Sequence, residues 1–294
     1  MREHIAAVLA DVHGNYPALC ACVQDAQAQG AEEFFFLGDY VSDLAQPAQV
    51  MQLLHALRGR FPCVFLRGNR ERYMLECAAG QRTFSRGSSS GSLLFTYERL
   101  TAEDLAFFAA LPPCAPCTRH GVSFELAHAA WEDDQRYFDG ESDLSPIFAG
   151  MKSALLLTAH AHRQYLTRRD GKTILNPGSV GIAMGEGAGT AHYALLTFSD
   201  AAVTPQLRRV PYGVEAVLRA QFESGLADYA PCWAAAIARD LMVGQATALR
   251  LLAQLTDPAD EQQWRAAAAQ LGVPLTLPEL LTEWKKNAHE QIDE

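Results

Sequence analysis

The sequence predicts an α/β protein whose first half contains a largely parallel β-sheet. Three short apolar runs, each typical of a buried strand, alternate with longer segments of helical character. Each run is followed at once by glycine, aspartate, asparagine or histidine. Strand–helix alternation is typical of parallel sheets, and the carboxyl ends of their strands form the edge where α/β proteins bind ligands.

The predicted strands of this half are 5–10, 34–37 and 63–67, and the predicted helices are about 16–29 and 47–57. The first helix ends at Gly30, a plausible C-cap. The polar segments that follow the strands are Asp11-Val-His13-Gly-Asn15, Gly38-Asp39 and Gly68-Asn69-Arg70-Glu71. In extended chain, residues two apart point the same way, so the Asp11 and His13 side chains can converge on one ligand.

The middle of the chain is more irregular. The polar stretch 86–92 is expected to be a surface loop, although it could cover a substrate. Thr101 and Asp104 predict a capping box that opens a short helix. Cys114-Ala-Pro-Cys117 is interpreted as a loop, with a redox or zinc role as the alternative.

Further strands are predicted at 122–127, 154–157, 173–175, 191–198 and 206–210, the later ones hairpin-like. His128 follows the first of them, and an acidic, aromatic loop spans 131–137. Asn176-Pro-Gly178-Ser179 predicts a tight turn that could offer backbone N–H groups to an anion. Leu157-Thr-Ala-His160-Ala-His162 places two imidazoles two residues apart after a strand. A surface loop with two unrelated histidines is the alternative.

The composition changes near residue 212, and this divides the chain into an α/β region, 1–211, and a helical appendage, 212–294. The appendage is rich in Ala, Leu, Gln and Glu and predicts three to five helices. One of them should begin with Asp257 as N-cap and Pro258 at the first position, and should run to Gly272. Trp233, Trp264 and Trp284 are interpreted as packing anchors.

Composition limits the classes of function. The 294 residues, 49% of them hydrophobic, are enough for a sizeable core. The net charge of −10 and the lack of any Lys/Arg run longer than a pair disfavour long nucleic acids as partners. No apolar run approaches the roughly 20 residues of a membrane-spanning helix. The odd count of seven cysteines and the absence of a signal-peptide pattern predict a soluble, cytoplasmic protein.

Seven polar side chains at predicted strand ends form a candidate metal site. They are Asp11, His13, Asp39, Asn69, His128, His160 and His162. Oxygen and imidazole ligands without cysteine suit Mn, Fe or Zn. Seven ligands exceed the needs of one four-coordinate ion but suffice for two ions that share a bridging carboxylate. Such a pair can hold a hydroxide and clamp a phosphoryl group.

These motifs, in this order, resemble the calcineurin-like metallophosphoesterases over about residues 5–210, and most closely their compact bacterial phosphodiesterase branch. The closer likeness rests on Asp11-Val-His-Gly-Asn15 and Asn176-Pro-Gly-Ser-Val180. The resemblance implies a four-layer α/β/β/α sandwich with a C-terminal helical appendage and a dinuclear site between its sheets. It also implies one metal on Asp11, His13 and His162, a second on Asn69, His128 and His160, and Asp39 as the bridge.

Arg70 departs from the family pattern, which commonly has histidine after the asparagine. A guanidinium does not release a proton in any useful pH range, so Arg70 is not a general acid, although it can bind a phosphate bidentately. The alternative is a structural salt bridge to Glu71 or another nearby acid. Because general acid catalysis assists poor leaving groups most, simple alkyl monoesters are expected to be poor substrates.

The expected function is therefore hydrolysis of a phosphodiester or phosphoanhydride in a small, phosphorylated substrate, such as a nucleotide or dinucleoside polyphosphate. Asp39 and Arg70 are the candidate catalytic residues. Asn15, Arg70, Gly178 and Ser179 are the candidate substrate contacts. A protein phosphatase with the same metals and a non-catalytic scaffold of the same fold are the alternatives. The sequence leaves the substrate, the native metal and the oligomeric state open.

Overall fold

Two five-stranded sheets form the centre of the protein. The structure, a computed structural model, describes residues 3–131, 133–185 and 189–290. The strands of the first sheet are β1 (His4–Leu9), β2 (Glu33–Phe36), β3 (Cys63–Phe65), β9 (Thr190–Ser199) and β10 (Ala202–Pro211). The strands of the second are β4 (Cys114–Arg119), β5 (Val122–Ala127), β6 (Leu155–Leu157), β7 (Gln164–Arg169) and β8 (Lys172–Pro177). Their spatial orders are β10-β9-β1-β2-β3 and β4-β5-β6-β8-β7.

The strand directions agree with the predicted mixture of crossovers and hairpins. β1, β2 and β3 are mutually parallel, with Val8 opposite Phe35 and Phe35 opposite Val64. β5, β6 and β8 are also parallel, whereas β9 and β10 form a long antiparallel hairpin. Parallel strands put their carboxyl ends at one edge, so each sheet offers one edge where strand-end side chains can gather.

The helices before β7 cover the outer faces of the sheets. They are α1 (Tyr16–Ala28), α2 (Pro47–Arg58), α3 (Asn69–Ala78), α4 (Gly91–Tyr97), α5 (Ala102–Ala110) and α6 (Ser145–Gly150). Residues such as Val8, Phe35, Phe124 and Leu157 fill the space between the sheets. A second core lies under α1 and α2, and a third under α6. The predicted four-layer α/β/β/α sandwich is confirmed.

Six helices follow the sandwich in the described part of the chain, one more than the upper limit of the three to five predicted. They are α7 (Val214–Glu223), α8 (Leu226–Tyr229), α9 (Pro231–Val243), α10 (Thr247–Leu252), α11 (Glu261–Gln270) and α12 (Leu277–Glu290). The predicted number of helices was too low because α8 and α10 are too short to show a helical period. The predicted cap at Asp257 is wrong: Asp260 accepts a hydrogen bond from the Gln262 N–H and starts α11. Residues 291–294 of the predicted appendage, and Glu132 in the acidic loop, lie outside the described residues.

The C-terminal helices share a core with the sandwich. Leu44 and Ile182 of the sandwich pack in the cluster formed by α7 and α9–α12, with Trp264 fully buried there. This confirms Trp264 as a packing anchor, and Trp284 packs against the same cluster. The division at residue 212 remains a prediction, because a shared core does not by itself define a domain boundary.

Two predictions for the middle of the chain are wrong. Cys114 and Cys117 lie in β4 rather than in a loop, since Pro116 and its neighbours adopt extended backbone and pair with β5. The stretch 86–92 is not a plain surface loop. Ser88 is buried, its backbone N–H and hydroxyl both donate to Glu261, and its hydroxyl accepts from the Cys232 N–H. This segment therefore fastens the C-terminal helices to the sandwich.

Candidate metal centre and active-site cavity

All seven side chains predicted as metal ligands follow the carboxyl ends of parallel strands, and the six acids and histidines among them form two compact groups. Asp11 and His13 follow β1, Asp39 follows β2, Asn69 follows β3, His128 follows β5, and His160 and His162 follow β6. The two sheets face each other, so their strand ends approach at one end of the sandwich. The alternative reading of His160 and His162 as an ordinary surface loop does not fit this position.

The first group consists of Asp11, His13 and His162, and their candidate ligand atoms all lie within 4.8 Å of one another. Nε2 of His13 and Nε2 of His162 are 3.0 Å apart. Nδ1 of His162 lies 3.0 Å from the Ile182 carbonyl oxygen, which can only accept, so Nδ1 carries the proton. Nε2 of His162 therefore carries a lone pair, which a histidine needs in order to bind a metal, and this lone pair faces His13.

The second group consists of Asp39, His128 and His160, with the same 4.8 Å limit. Nδ1 of His128 donates to the Leu37 carbonyl at 2.8 Å, which leaves Nε2 free to face the group. That Nε2 lies 3.2 Å from the side-chain amide of Asn69, which can donate to it, and 3.6 Å from Oδ2 of Asp39. Oδ2 of Asp39 is also 3.8 Å from Nε2 of His13. Asp39 therefore belongs to the second group and also faces the first.

The backbone of these residues is unusual. Asp11, His13, Asp39, His160 and His162 all have φ between 50° and 67°, in the left-handed region that residues with a Cβ adopt at a cost. Strained backbone of this kind clusters at functional sites, where the surrounding structure imposes it. Here it turns each side chain inward immediately after its strand.

Protonation in the site follows from burial and from neighbouring charges. Burial, and then the Asp39 charge, raise the pKa of Asp11 well above its usual range. Burial also opposes charge on Asp39, but His128, His13 and Arg70 outweigh it and lower the pKa of Asp39. Burial and the facing His128 ring lower the pKa of His160 to about 4. His160 is therefore neutral at pH 7 and presents a lone pair, which a cation can bind.

Glu71 holds the backbone next to two of the candidate ligands, a role that the sequence analysis did not assign to it. Its carboxylate is fully buried and accepts backbone N–H groups of Asp39 (2.8 Å), Tyr40 (2.8 Å) and Gly68 (2.9 Å). Burial, followed by the Asp39 charge, raises the pKa of Glu71 to about 8. Glu71 thus ties the end of β2 to the start of α3 and fixes the positions of Asp39 and Asn69.

Asp43 is the second residue that the sequence analysis missed. Its Oδ2 lies 3.2 Å from Nδ1 of His13 and 3.3 Å from Nη2 of Arg70, and its Oδ1 accepts a 2.9 Å hydrogen bond from Trp233 Nε1. Burial would raise the pKa of Asp43, but Arg70 and His13 outweigh it and lower that pKa. A carboxylate beside Nδ1 favours a proton there and leaves Nε2 of His13 for a metal. The only sequence signal was its position four residues after Asp39.

Arg70 lies in the site, as the sequence analysis expected. Its backbone N–H donates to Oδ1 of Asp39 at 2.8 Å, and its guanidinium is 3.9 Å from Oδ2 of the same residue. The acids closest to its guanidinium are Asp43, at 3.3 Å, and Asp39, and both belong to the site. The side chain is 23% exposed, so an anion in the cavity can reach it.

Three residues predicted as substrate contacts make hydrogen bonds within the scaffold. Asn15 is fully buried; its amide donates to the Gly181 carbonyl and accepts from the Ala18 N–H, capping α1. The Gly178 N–H donates to the Asn176 side chain, and the Ser179 hydroxyl donates to the Asp11 carbonyl. Internal partners therefore already use the Asn15 amide, the Gly178 N–H and the Ser179 hydroxyl, and contact of these residues with a substrate stays a prediction.

A cavity of about 270 Å³ opens beside the two ligand groups. Asp39, His160 and His162 line one side of it together with Asp43, Arg70 and Arg163. The other side is formed largely by the C-terminal helices, from Trp233 and Ile237 on α9 to Leu249 on α10. The C-terminal helices therefore wall the candidate active site rather than packing on the far side of the sandwich. Trp233, interpreted from sequence as a packing anchor, also lines this cavity.

A two-sheet sandwich with carboxylates and imidazoles gathered at its strand ends is the architecture of metal-dependent phosphoesterases. The chain belongs to the calcineurin-like phosphoesterase superfamily, whose domain it matches over residues 5–201. This superfamily is metal-dependent, and the two ligand groups described above are candidates to hold its ions. None of the helices in the described ranges has the length and apolar character needed to cross a bilayer.

The chain is also similar to individual proteins. It is 28% identical over 235 residues to the uncharacterized protein MJ0912 of Methanocaldococcus jannaschii, covering 73% of this chain and 90% of that protein. A metallophosphoesterase from Sphaerobacter thermophilus has a crystal structure with a TM-score of 0.63 at 19% identity, covering 83% of this chain and 100% of that one. The hypothetical protein PH1004 from Pyrococcus horikoshii OT3 has a TM-score of 0.62 at 17% identity, with 76% and 97% covered. At these identities the two structures show the fold alone.

Proposed function

We propose that the protein is a dinuclear metal-dependent phosphoesterase that hydrolyses phosphodiester or phosphoanhydride bonds in small substrates. The observation that carries this proposal is the pair of three-residue groups, each within 4.8 Å, in which Asp39 of the second group also lies 3.8 Å from Nε2 of His13 in the first. Asp11, His13 and His162 would hold one ion. Asn69, His128 and His160 would hold the other, and Asp39 would contact both. Mn, Fe and Zn all suit this oxygen and imidazole set.

The donor set fits divalent ions on structural grounds. His162 and His128 each have Nδ1 bonded to a backbone carbonyl, so their Nε2 lone pairs point inward. His13 has the Asp43 carboxylate beside its Nδ1. Outer partners of this kind are what hold metal-binding histidines in their ligating tautomer. When bound, two ions would activate water and neutralise phosphoryl oxygens.

Arg70 would bind the phosphoryl group and offset its charge in the transition state. Its guanidinium borders the cavity, and the Asp43 and Asp39 charges raise its pKa further despite burial, so it stays cationic. A permanent cation stabilises developing negative charge but does not protonate a leaving group. Substrates whose leaving groups need little protonation, such as aryl diesters and phosphoanhydrides, should therefore react best. A nucleotide or dinucleoside polyphosphate is one such class.

The size of the cavity favours a small substrate over a protein. Its volume of about 270 Å³ and its wall of C-terminal helices leave room for a phosphoryl group and a modest substituent. A protein phosphatase would need access for a folded surface. A purely scaffolding role does not account for Arg70, Asp43 and the ligand groups converging on one cavity.

The proposal is tested with purified protein loaded with Mn²⁺. Bis(p-nitrophenyl) phosphate should be hydrolysed, an alkyl phosphomonoester should react far more slowly, and Asp39→Asn should abolish turnover. Asp25→Asn is the matched control, since Asp25 is also a paired carboxylate but contacts Arg208 and Tyr193 instead of site residues. Metal-loaded protein that leaves both this diester and a phosphoanhydride such as a nucleoside triphosphate intact would refute the proposal. Equal rates for the diester and the alkyl monoester would refute the role given to Arg70.

A further inference from the structure

The active-site cavity has two chemically different halves. One half carries the candidate metal ligands and the cations Arg70 and Arg163. The other half is apolar and comes from separate parts of the chain: Ile182 and Met184 after β8, and Trp233, Ile237, Ala246, Ala248 and Leu249 from the C-terminal helices. A phosphoryl group alone needs only the first half. The apolar half is therefore available to another part of a ligand.

Exposed hydrophobic side chains converge on the same cavity. Among the described residues, the large hydrophobic side chains that stay exposed are Tyr137 (56%), Leu249 (57%) and Leu252 (36%). Two of these three, Tyr137 and Leu249, line the cavity although they belong to different elements. A single exposed hydrophobic residue needs no explanation, but two that flank one opening indicate a contact surface for a ligand.

We propose that this apolar half is a subsite for an aromatic ring carried by the phosphoester substrate. This inference rests on the proposed function, since it places the phosphoryl group beside the ligand groups and the ring between Tyr137, Leu249 and the wall of α9. Tyr137 offers an aromatic face for stacking, and Leu249, Met184 and Ile237 offer apolar contact. The cavity lies just below the range of about 300–1,000 Å³ typical of small-molecule pockets. That size fits one ring system rather than a chain of residues or nucleotides.

Asp240 lines the same wall but does not recognise the ring. It is 1% exposed, and its two carboxylate oxygens accept the backbone N–H groups of Thr247 and Ala248. Its charge-bearing atoms are therefore committed to holding the start of α10, which carries Leu249. The subsite selects by shape and apolar contact, and so it accepts a phenyl ring or a nucleobase alike.

Calorimetry on the full-length, Mn²⁺-loaded protein tests the subsite with two probes that are not hydrolysed, phenylphosphonate and methylphosphonate. Both carry the same anionic group and differ only in the organic substituent. Phenylphosphonate should bind at least about tenfold more tightly, since one methylene in an apolar pocket already changes discrimination about 10- to 200-fold. Adenosine 5′-phosphate, as a third probe, should also bind more tightly than methylphosphonate, because the subsite accepts a nucleobase as well as a phenyl ring.

The helix α10 provides a matched pair of variants. Leu249→Ser should reduce the phenyl-to-methyl affinity ratio at least about threefold, because Leu249 lines the cavity. Leu252→Ser changes an exposed leucine of the same helix that is not among the lining residues, and should leave the ratio unchanged. Both positions are exposed, so neither change should prevent folding.

The outcomes separate the subsite from the proposed function. A phenyl preference that depends on Leu249, in a protein that hydrolyses neither diesters nor phosphoanhydrides, would support the subsite and refute the catalytic proposal. Equal affinities for the two phosphonates, binding of neither, or equal effects of Leu249→Ser and Leu252→Ser would overturn the subsite. Hydrolysis of bis(p-nitrophenyl) phosphate alongside any of those results would leave the catalytic proposal standing.

Discussion

Replacing Asp43 by asparagine tests whether a residue that binds no metal controls the metal centre. The carboxylate lies 3.2 Å from Nδ1 of His13 and 3.3 Å from the Arg70 guanidinium. Asparagine keeps the size of the side chain but removes the charge. A neutral amide oxygen attracts a proton on Nδ1 less strongly than a carboxylate does, so the tautomer with Nε2 free for a metal is less favoured.

The expected loss follows from these contacts. Removing an outer partner of a ligating histidine typically weakens metal binding about 10- to 100-fold. That range corresponds to about 1.4–2.7 kcal/mol of binding free energy. Arg70 also loses its nearest acid, since Asp39 is farther away at 3.9 Å. Activity toward diesters should therefore fall at least as far as the affinity does.

The assay is competition for Mn²⁺ with a fluorescent chelator, together with kcat/KM for bis(p-nitrophenyl) phosphate. Trp233→Phe removes only the indole donor to Asp43 and leaves the contacts with His13 and Arg70, so its effect on metal affinity should be smaller. Asp25→Asn should have none. If Asp43→Asn is folded, as judged by thermal unfolding, and binds Mn²⁺ within about twofold of the wild type, the reasoning about His13 is wrong.

The remaining predictions concern Arg70, Asp240 and the metals. Arg70→Ala should lower kcat/KM for the aryl diester by about 10²–10³-fold, because the loss of one transition-state donor typically costs that much. The Mn²⁺ affinity should change little. An unchanged kcat/KM would show that Arg70 is only a structural residue. Burial raises the pKa of Asp240 to about 7. The folded state therefore keeps a proton on Asp240 that the unfolded state releases near pH 4, so the free energy of unfolding falls as the pH rises from about 4 to 7. Urea unfolding at several pH values in EDTA should show less of this decline in Asp240→Asn, and an identical slope would contradict the assignment. EDTA should abolish turnover and lower the midpoint of thermal unfolding. Mn²⁺ at about 100 times its Kd should restore about 2.7 kcal/mol of stability. A midpoint that does not change when Mn²⁺ is added would argue against a bound ion.

The parts of the site that could be predicted from sequence are those that local chain geometry controls. Asp11, Asp39, Asn69 and His128 each follow a short apolar strand, and the end of a strand can be recognised within a few residues. His160 and His162 lie two residues apart directly after β6, as Asp11 and His13 do after β1. Because parallel strands end at a common edge, local patterns were enough to collect these side chains in one place.

The sequence does not show which polar groups already have partners inside the folded chain. Ser179 and Asn15 have the chemistry of phosphate ligands, but their partners, Asp11 and Gly181, come from distant segments. Likewise, the period of a four-residue helix such as α8 is too short to recognise without its packing. Hydrogen-bond satisfaction and burial are properties of the folded chain.

The sequence by itself determined the superfamily, the order of the strands and helices in the first half, and the candidate metal ligands, because each depends on a few neighbouring residues. Only the tertiary structure decided that Asp43 faces His13 and Arg70, that Glu71 holds the end of β2, and that α9 and α10 wall the cavity. Trp233 lies 190 residues beyond Asp43 in the chain. Contacts over such separations depend on how whole layers pack, and no local pattern in the sequence encodes them.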